Sequence, residues 1–477
     1  MSGREGNMGI TKNKQSLQTI QKMVERAYTG LTMDGCIELT EGLCNVAYVV
    51  RLSNGEEKIL KISAADSSGY MSNEINMMDA EVAAMKLTNG VISTKVPQVD
   101  YYDATREICS GSYFFMEKLE GENFFKNIGA YSEEEKATVN FQVGSLVKQI
   151  AEIKGQQFGL LGDVEHQFDT QYGLFRYMLC NAIGDAERRN VFFFLNGEKL
   201  LEMLEKDRDI FAEVETPSLV HYDLWEGNVF VKGTQVIGFI DWERALWGDV
   251  LMEDRFRRHT RNEGFLKGFG IEKLSEKQMR RILWYDILLY LIMMAEGEYR
   301  GYEDDGQYRW VAPLFRASLE ELVGEPVKYC TLCYIEKDDH YLMLYRNKKE
   351  NDPNEGKWIG VGGKLEAGET PDKCVVREAL EETGLTLTDY TYHGVVHFQS
   401  DKWMDEEMYL YTATGFEGSV DFECSEGELK WVPKEEVMNL SLWEGDKIFL
   451  KYLLEGKTDI DLTLVYKGAD LVEVRSK

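Results

Sequence analysis

The sequence predicts an α+β protein of several domains, and three observations support this fold class. The chain has 477 residues, enough for about two to four domains of ordinary size. Hydrophobic residues make up 44% and charged residues 29% of it, which is the balance of a globular protein with sizeable cores. Strand-rich, helix-rich and again strand-rich blocks follow one another, without short repeats or low-complexity segments.

The predicted elements divide the chain into four segments. In order, we place them at residues 1–34 (a polar tail and a first helix), 35–118 (strand-rich), 119–324 (mainly helical) and 325–477 (strand-rich). The last boundary lies at Gly324 and Pro326, because these residues end a helix and start a strand.

Four shorter predictions concern parts of these segments. We expect a helix from Glu74 to Leu87 inside the first strand-rich segment, and a strand-turn-strand unit near residues 218–241 inside the helical one. The last segment contains one strongly amphipathic helix near residues 371–383. The most apolar run, Ile287 to Ala295, is too short to cross a bilayer, so we expect a buried helix there.

The net charge limits the partners of this protein. Fifty-four basic side chains stand against 83 acidic ones, a formal charge of −29. Such a surface repels nucleic-acid backbones and anionic lipid, so we expect neither a nucleic-acid nor a membrane partner. Small phosphorylated ligands are compatible with this charge if a divalent cation neutralises both sides. The composition therefore favours a soluble enzyme over a scaffold, and it leaves the oligomeric state open.

The cysteines and the polar amino terminus indicate a cytoplasmic location. The first residues contain no apolar stretch of the kind found in signal peptides, and eight scattered cysteines in a long chain favour reduced thiols. Cys330 and Cys333 form a C-x-x-C, but on the predicted strand positions three apart face opposite sides. That geometry is poor for one metal ion, so we expect no zinc or redox site there.

The first motif with chemical meaning is HYDLWEGN, from His221 to Asn228, followed thirteen residues later by Asp241. Transfer of a γ-phosphoryl group needs a positioned acceptor hydroxyl, a group that takes its proton, and metal ions on the phosphates. Asp223 is suited to accept the proton, while Asn228 and Asp241 are suited to hold Mg²⁺. The alternative is a solvated loop with an aspartate in a turn, but the spacing and the second aspartate favour phosphoryl transfer.

This segment resembles the aminoglycoside phosphotransferase superfamily of small-molecule kinases, over roughly residues 35–320. The resemblance implies a bilobal, protein-kinase-like fold whose amino-terminal lobe is residues 35–118 and whose helical lobe is residues 119–324. It also implies ATP or GTP as phosphoryl donor and a hydroxylated small molecule, such as an aminoglycoside or choline, as acceptor. The residues that it implies for nucleotide binding are Lys61, Glu81, Gly42, Asn45, Met116 and Lys118.

Protein kinases share the implied fold, but four features argue against a protein kinase. No arginine lies between His221 and Asp223, the metal-binding sequence is DWE, and an A-P-E segment is missing. Only a short stretch separates Asp241 from Gly248, which leaves little room for a peptide-binding activation loop. A small acceptor therefore fits better.

The second motif runs from Gly363 to Leu385 and reads GKLEAGETPDKCVVREALEETGL. Within it, Glu378, Glu381 and Glu382 have the i, i+3, i+4 spacing that places three carboxylates on one helix face. Such crowded like charges destabilise a helix unless a cation lies among them, and Mg²⁺ or Mn²⁺ with oxygen ligands provides that cation. A solvent-facing charged helix would explain the glutamates but not the spacing of the glycines and the arginine.

The remaining motif residues predict how this helix is held. Arg377 and Glu369 are spaced to form an ion pair that fixes the preceding loop against the helix. Val376 and Leu380 are expected to pack inward, and Gly384 to end the helix in a left-handed conformation.

The motif matches the Nudix box, G-x5-E-x7-R-E-U-x-E-E-x-G-U, and residues 329–473 resemble bacterial 8-oxo-dGTP diphosphatases. The resemblance implies an α/β/α sandwich that hydrolyses a nucleoside triphosphate to a monophosphate and pyrophosphate with Mg²⁺. It implies metal binding by Gly363, Glu378, Glu381, Glu382 and Glu428. It further implies catalytic roles for Arg377, Glu381 and Glu382, and substrate contacts from Lys364, Trp443 and Asp446, with Trp443 stacking on the purine. Some relatives have asparagine after the tryptophan where this chain has Ile359 after Trp358.

Together the two motifs predict a bifunctional enzyme, a small-molecule kinase joined to a nucleotide pyrophosphohydrolase. Two alternatives stay open. In the first, the kinase-like part is a nucleotide-binding or regulatory module without activity. In the second, the Nudix pocket senses a nucleotide without cleaving it. Lys61 and Asp223 argue against the first alternative, and the intact set of glutamates argues against the second.

Overall fold

The computed structural model describes residues 13–40, 45–65, 69–94, 96–324, 327–348, 352–422 and 424–476. The chain divides into two compact units, Met1–Gln307 and Tyr308–Lys477. This division lies within a helix, Gly306–Val323, which ends at Gly324 with a φ of 86°. The domain boundary after residue 324 stays a prediction of the sequence. Both units mix helices and sheets, which confirms the predicted α+β class.

Unit 1 begins with a five-stranded antiparallel sheet. Its elements are α1 (Leu17–Ala27), β1 (Met33–Leu39), β2 (Val46–Leu52), β3 (Glu57–Ile62), α2 (Met77–Thr88), β4 (Val99–Asp103) and β5 (Tyr113–Glu117). The strand order is β1-β2-β3-β5-β4. Helix α1 packs its apolar face on this sheet, where Val24, Val50 and Phe115 are fully buried. The helix predicted from Glu74 is α2, which starts three residues later.

The rest of unit 1 is mainly helical. Its elements are β6 (Glu122–Asn123), α3 (Glu133–Ala151), β7 (Gly159–Leu160), α4 (Gln171–Arg188), α5 (Gly197–Lys206), β8 (Ser218–Val220), β9 (Val229–Lys232), β10 (Gln235–Phe239), β11 (Leu246–Gly248), α6 (Glu263–Phe269) and α7 (Glu276–Arg300). Helix α8 (Gly306–Val323) begins in unit 1 and belongs mostly to unit 2. Small sheets of order β10-β9-β6 and β7-β11-β8 lie among the helices. Helix α7 is buried on most of its faces and contains residues 287–295, as the apolar run predicts.

Unit 2 is built on one large mixed sheet. Its further elements are β12 (Lys328–Lys337), β13 (His340–Arg346), β14 (Trp358–Ile359), α9 (Pro371–Thr383), β15 (Thr386–Ser400), β16 (Glu406–Glu417), β17 (Gly427–Pro433), α10 (Lys434–Val437), α11 (Glu444–Leu454), β18 (Ile460–Lys467) and β19 (Asp470–Ser476). The strand order is β14-β13-β12-β16-β15-β18-β19, and β17 pairs with β13. Buried side chains of α11 and the sheet, among them Tyr334, Leu410 and Phe449, form its core.

Helix α9 has the predicted bounds, but its buried face differs from the prediction. Thr370 caps its first turn and Pro371 occupies the first helical position. Gly384, with a φ of 72°, ends it in the left-handed conformation. Val375 and Ala379 are buried, whereas Leu380 is 49% exposed. The inward packing predicted for Val376 and Leu380 is therefore wrong, because the face of the helix that meets the sheet is centred one residue earlier.

Among the described residues, no helix combines the length and the apolar character needed to cross a membrane.

Candidate active sites

In unit 1 a buried lysine is surrounded by carboxylates. Lys61 on β3 donates from Nζ to Glu81 Oε2 on α2 at 2.6 Å and also to Asp241, and Glu243 Oε2 lies 3.4 Å away. Within the described part of the chain, Glu81, Asp241 and Glu243 are the acidic group whose ligand oxygens all lie within 4.8 Å of one another. The structure thus brings together Lys61, Glu81 and Asp241, which lie far apart in the sequence.

This arrangement sets the charges of the group. Burial by itself would lower the pKa of Lys61, but Asp241, Glu81 and Glu243 raise it well above its usual value. Burial raises the pKa of Glu81 to about 8, although Lys61 acts in the opposite direction. The pKa of Asp241 is below its usual value because Lys61 outweighs burial. When all three acids are ionised, Lys61 balances only one of their charges, and a divalent cation would favour that ionised state.

The HYDLWEGN loop lies beside this group. Asn228 donates from Nδ2 to the Asp223 carbonyl at 2.7 Å, and the backbone N–H of Ile240 donates to the Asn228 carbonyl at 3.1 Å. The antiparallel pair β9–β10 therefore places Asn228 next to Asp241, as predicted. Burial raises the pKa of Asp223 well above its usual value. Asp241 has a φ of 67°, in the left-handed region that few non-glycine residues adopt and in which aspartate and asparagine are enriched.

Two acidic residues that the sequence did not single out belong to this site. Glu253 is 1% exposed and accepts the backbone N–H groups of His221 at 3.1 Å and Leu224 at 3.3 Å. Glu243 contacts Lys61 and accepts the side-chain N–H of Asn45 at 2.6 Å. The sequence signal for Glu243 is its position two residues after Asp241 in DWE, whereas Glu253 carries no local signal.

The other described residues implied for nucleotide binding lie in or next to strands of the five-stranded sheet. Asn45 precedes β2 and reaches Glu243, while Gly42 lies outside the described residues. Met116 on β5 is 7% exposed and pairs with Ile59 of β3. Lys118 donates from Nζ to Glu57 Oε2 at 2.6 Å. Their roles in nucleotide binding stay predictions.

Unit 2 contains a cavity of about 600 Å³ with two chemically distinct ends. Acidic residues and the glycine-rich turn form one end, and aromatic residues form the other. The lining residues used below are Arg346, Asp352, Asn354, Ile359, Gly363, Lys364, Glu378, Glu382, Trp403, Glu426, Trp443 and Asp446. The volume is in the range of small-molecule sites.

The acidic end is shaped by two adjacent glycines. Gly362 donates its N–H to Glu382 Oε2 at 2.9 Å. A Cβ on Gly363 would lie 2.5 Å from the carboxyl carbon of Glu378, so the absence of a side chain at Gly363 makes room for that carboxylate. The Gly363 carbonyl accepts the N–H of Thr331 at 2.9 Å and the thiol of Cys374 at 3.6 Å.

The glutamates at this end resist ionisation in the absence of a cation. Burial raises the pKa of Glu382 to about 8, and the nearby Glu426 and Glu378 contribute in the same direction. Burial also raises the pKa of Glu378, against the effect of Arg377. The described carboxylates of Glu378, Glu382 and Glu426 line one wall of the cavity. Their oxygens do not all lie within 4.8 Å of one another, as those of the unit 1 group do.

Arg377 has the contacts that the motif predicts and binds further groups. Its Nε and Nη2 donate to the two carboxylate oxygens of Glu369, both at 2.9 Å. Its Nη1 donates to Glu378 Oε1 at 2.8 Å and to Glu381 Oε2 at 3.1 Å, and its Nη2 to the Lys364 carbonyl at 3.0 Å. These contacts position the glutamates and the glycine-rich loop, while the catalytic role of Arg377 stays a prediction.

Two of the residues implied for the metal lie outside the cavity lining. The side chain of Glu381 is 59% exposed and is held by Arg377. Glu428 on β17 accepts the side-chain N–H of Asn347 at 2.8 Å. From this later part of the chain, the glutamate that does line the cavity is Glu426, whose side chain pairs with Arg346. The sequence offered no reason to choose Glu426, because the choice depends on how residues 424–433 pair with β13.

The aromatic end contains the residues implied for base binding. Trp443 lies edge-to-face with Trp403, with ring centroids 5.7 Å apart. Its indole N–H donates to Asn354 Oδ1 at 2.9 Å. Burial raises the pKa of Asp446 to about 7, although Lys357 acts against it. Trp443, Asp446 and Lys364 thus share one cavity with Glu378 and Glu382.

The acidic end fits a divalent cation. Mg²⁺ and Mn²⁺ bind oxygen ligands, and carboxylates with raised pKa values become ionised when a cation is present. Glu378, Glu382 and Glu426 supply such oxygens, and the space over Gly363 admits the Glu378 carboxylate. The residues that line the acidic end are therefore suited to hold this cation.

Family models match both units. A NUDIX domain model matches residues 328–453, and a model of the phosphotransferase enzyme family matches residues 35–253. The two matches correspond to the two motifs and confirm the predicted kinase-like and Nudix folds.

Individual relatives are similar over one part of the chain. The Nudix hydrolase YvcI of Bacillus subtilis is 31% identical over 143 residues, 28% of this chain and 85% of YvcI. An oxidized purine nucleoside triphosphate hydrolase of Danio rerio is 30% identical over 24% of this chain and 74% of its own length. The crystal structure of aminoglycoside phosphotransferase APH(4)-Ia is 17% identical, with a TM-score of 0.45, and the match covers 65% of this chain and 99% of that structure.

Proposed function

This chain belongs to the Nudix hydrolase family, and on that basis we propose that it hydrolyses an 8-oxo-dGTP-like nucleoside triphosphate to the monophosphate and pyrophosphate. The observation that carries the proposal is the cavity of about 600 Å³, which joins a wall of carboxylates to an aromatic wall. A nucleotide has the same polarity, with phosphates at one end and a flat base at the other.

The residues of the acidic end have distinct roles in this proposal. Glu378, Glu382 and Glu426 would hold Mg²⁺, which when bound neutralises the phosphates and makes a nearby water easier to deprotonate. A glutamate of the box, Glu381 or Glu382, accepts the proton from the attacking water. Arg377 holds Glu369 and Glu378 in place, and Lys364 on the cavity wall is suited to contact a phosphate.

The purine assignment rests on the aromatic end. Trp443 offers a flat face for stacking, and Asp446 offers a carboxyl for the polar edge of a base. The relative from Danio rerio carries a name that specifies oxidized purine nucleoside triphosphates. The 8-oxo-dGTP-like substrate is therefore the choice that the residues and the relatives support together.

The test is a nucleotide panel with purified protein and Mg²⁺. Initial rates of pyrophosphate release are measured for 8-oxo-dGTP, the four dNTPs and the four NTPs, with Glu382→Gln as the matched control. We expect the highest kcat/KM for 8-oxo-dGTP and a loss of at least about 100-fold in E382Q, as for loss of a catalytic carboxylate. Binding of nucleotides without pyrophosphate release by the wild type would contradict the proposal and support a sensor.

For unit 1 we propose phosphorylation of a hydroxyl group on a small molecule, with ATP or GTP as donor. The contact of Lys61 with Glu81 and Asp241, beside Asp223 and Asn228, supports this activity. These are the parts that phosphoryl transfer needs: a lysine for the phosphates, groups for Mg²⁺ and a base for the hydroxyl. A noncatalytic regulatory module is the alternative, and it predicts nucleotide binding without transfer of the γ-phosphate.

A further inference from the structure

Asn354 occupies a position at the base-binding end that no motif marks. It lies in the loop between β13 and β14 and lines the same cavity as Trp443 and Asp446. Trp443 also contacts Asp446 through the backbone, because the N–H of Asp446 donates to the Trp443 carbonyl at 3.1 Å. Asn354 and Asp446 are thus both hydrogen-bonded to the residue that offers the stacking face.

The orientation of the Asn354 amide follows from its contact with Trp443. The indole N–H of Trp443 lies 2.9 Å from Asn354 Oδ1. An indole nitrogen can only donate a hydrogen bond, so the atom that faces it must be the amide oxygen. The Asn354 NH₂ group is therefore not used by this contact, and its two donors belong to a side chain that lines the cavity.

A chain of buried contacts fixes the position of Asn354. Its backbone N–H donates to Asp352 Oδ1 at 3.0 Å, which is an Asx turn. Asp352 Oδ2 accepts from Arg346 Nε at 2.6 Å, and the two side chains are only 5% and 8% exposed. Arg346 in turn pairs with Glu426 at the acidic end. A side chain held in this way is preorganised to recognise a fixed atom.

We propose that Asn354 reads the base by donating from Nδ2 to the O6 atom of a guanine-type purine, while Asp446 accepts from N1–H and the 2-amino group. This inference rests on the proposed nucleotide hydrolysis and extends it to the base edge. The edge of guanine presents one acceptor followed by two donors, which complements one amide donor beside one carboxylate. Adenine presents a donor at its 6-amino group and an acceptor at N1, which is the reverse order. In the same position it would therefore form neither the hydrogen bond with the amide nor the one with the carboxylate.

The inference also explains how the cavity recognises a base although residue 359 is an isoleucine. Some relatives have an amide side chain at that position, whereas the Ile359 side chain is apolar and lines the cavity. Asn354 supplies an amide from the neighbouring loop, five residues earlier in the chain. An 8-oxo group leaves O6, N1–H and the 2-amino group of guanine unchanged, so the same contacts serve 8-oxo-dGTP.

The test compares dGTP with 6-thio-dGTP, in which a weakly accepting sulfur replaces O6. Asn354→Asp keeps an oxygen for the indole N–H and favours the same turn, but it removes the donors. Asn439→Asp is the matched control: Asn439 lies between α10 and α11, donates its backbone N–H to the Glu436 carbonyl, and is not among the described residues that line the cavity. The readout is kcat/KM for pyrophosphate release, expressed as the ratio of dGTP to 6-thio-dGTP. Each variant gains one negative charge, which acts on both substrates alike and therefore cancels in this ratio.

We expect the wild type and N439D to prefer dGTP by about tenfold or more, as for loss of a hydrogen bond in a buried site. In N354D the preference should fall to within about threefold. An unchanged preference in N354D, no preference in the wild type, or loss of turnover of both substrates in N354D would each overturn the inference. Absence of pyrophosphate release from every nucleotide by the wild type would instead overturn the proposed hydrolysis itself, and the inference with it.

Discussion

Gly362 and Gly363 are adjacent residues that lack a side chain for different reasons. A Cβ on Gly362 would lie 2.1 Å from the backbone oxygen of Thr331, and its φ of 154° is rarely adopted by other residues. A Cβ on Gly363 would instead meet the carboxylate of Glu378, the far end of a flexible side chain. Gly362 is therefore needed for folding of the turn, and Gly363 for the position of a carboxylate.

This difference predicts opposite outcomes for two alanine substitutions. Gly363→Ala should leave the free energy of unfolding within about 1 kcal/mol of wild type, because Glu378 can turn away. It should weaken Mg²⁺-dependent pyrophosphate release by about 10- to 100-fold, as for displaced metal-site groups. Gly362→Ala should lower the free energy of unfolding by more than about 2 kcal/mol. Denaturant melts and Mg²⁺ titrations of both variants check this, and equal behaviour of the two would contradict it.

Asp446 gives the base site a dependence on pH. Burial raises the pKa of its carboxyl to about 7, so the group is protonated below that pH and ionised above it. A carboxylate that accepts N–H groups of the base must be ionised. Binding of deoxyguanosine, which carries no phosphate, should therefore weaken by up to about tenfold per unit as the pH falls below 7.

The measurement is the Kd of deoxyguanosine between pH 5.5 and 8.5, with Glu382→Gln as a second variant because the pKa of Glu382, about 8, lies in the same range. Asp446→Asn should abolish the pH dependence, because its amide does not titrate. A wild-type Kd that does not change over this range, or the same dependence in D446N, would show that Asp446 does not act on the base as a carboxylate.

At the scale of elements, helix α9 and strand β17 show what the sequence could and could not predict. The bounds of α9 and its pair of Arg377 with Glu369 followed from the motif, because its spacing is local and strict. The approach of Glu426 to the cavity depends on how the chain from Glu426 into β17 meets β13, about eighty residues earlier. Local patterns do not encode that register, so the sequence pointed to Glu428.

Contacts between residues far apart in the sequence show the same limit of prediction from local patterns. Asn354 and Trp443 meet across 89 residues, and Lys61 and Glu243 across 182. The sequence predicted Asp241 from its spacing after the HYDLWEGN motif, and Lys61 and Glu81 because a family resemblance marks them. Residues without such a mark, such as Asn354 and Glu253, became visible only through their contacts in the folded chain. The buried face of α9 was missed by one residue because charged and apolar positions alternate closely along it.

At the scale of the whole molecule, the chain combines two compact units, each with its own constellation of acidic residues. Every contact that defines the kinase-like site lies within Met1–Gln307, and every contact that defines the nucleotide cavity lies within Tyr308–Lys477. Two sites built from separate residues should lose their activities separately.

The most direct measurement assays both activities in the wild type, Asp223→Asn and Glu382→Gln, each as the full chain. Pyrophosphate release from 8-oxo-dGTP reports on unit 2, and transfer of the labelled γ-phosphate of ATP or GTP to a panel of hydroxylated metabolites reports on unit 1. We expect D223N to lose at least about 100-fold in phosphoryl transfer and to keep pyrophosphate release within about twofold. E382Q should show the reverse. Loss of both activities in either variant, with an unchanged melting temperature, would contradict two independent catalytic sites.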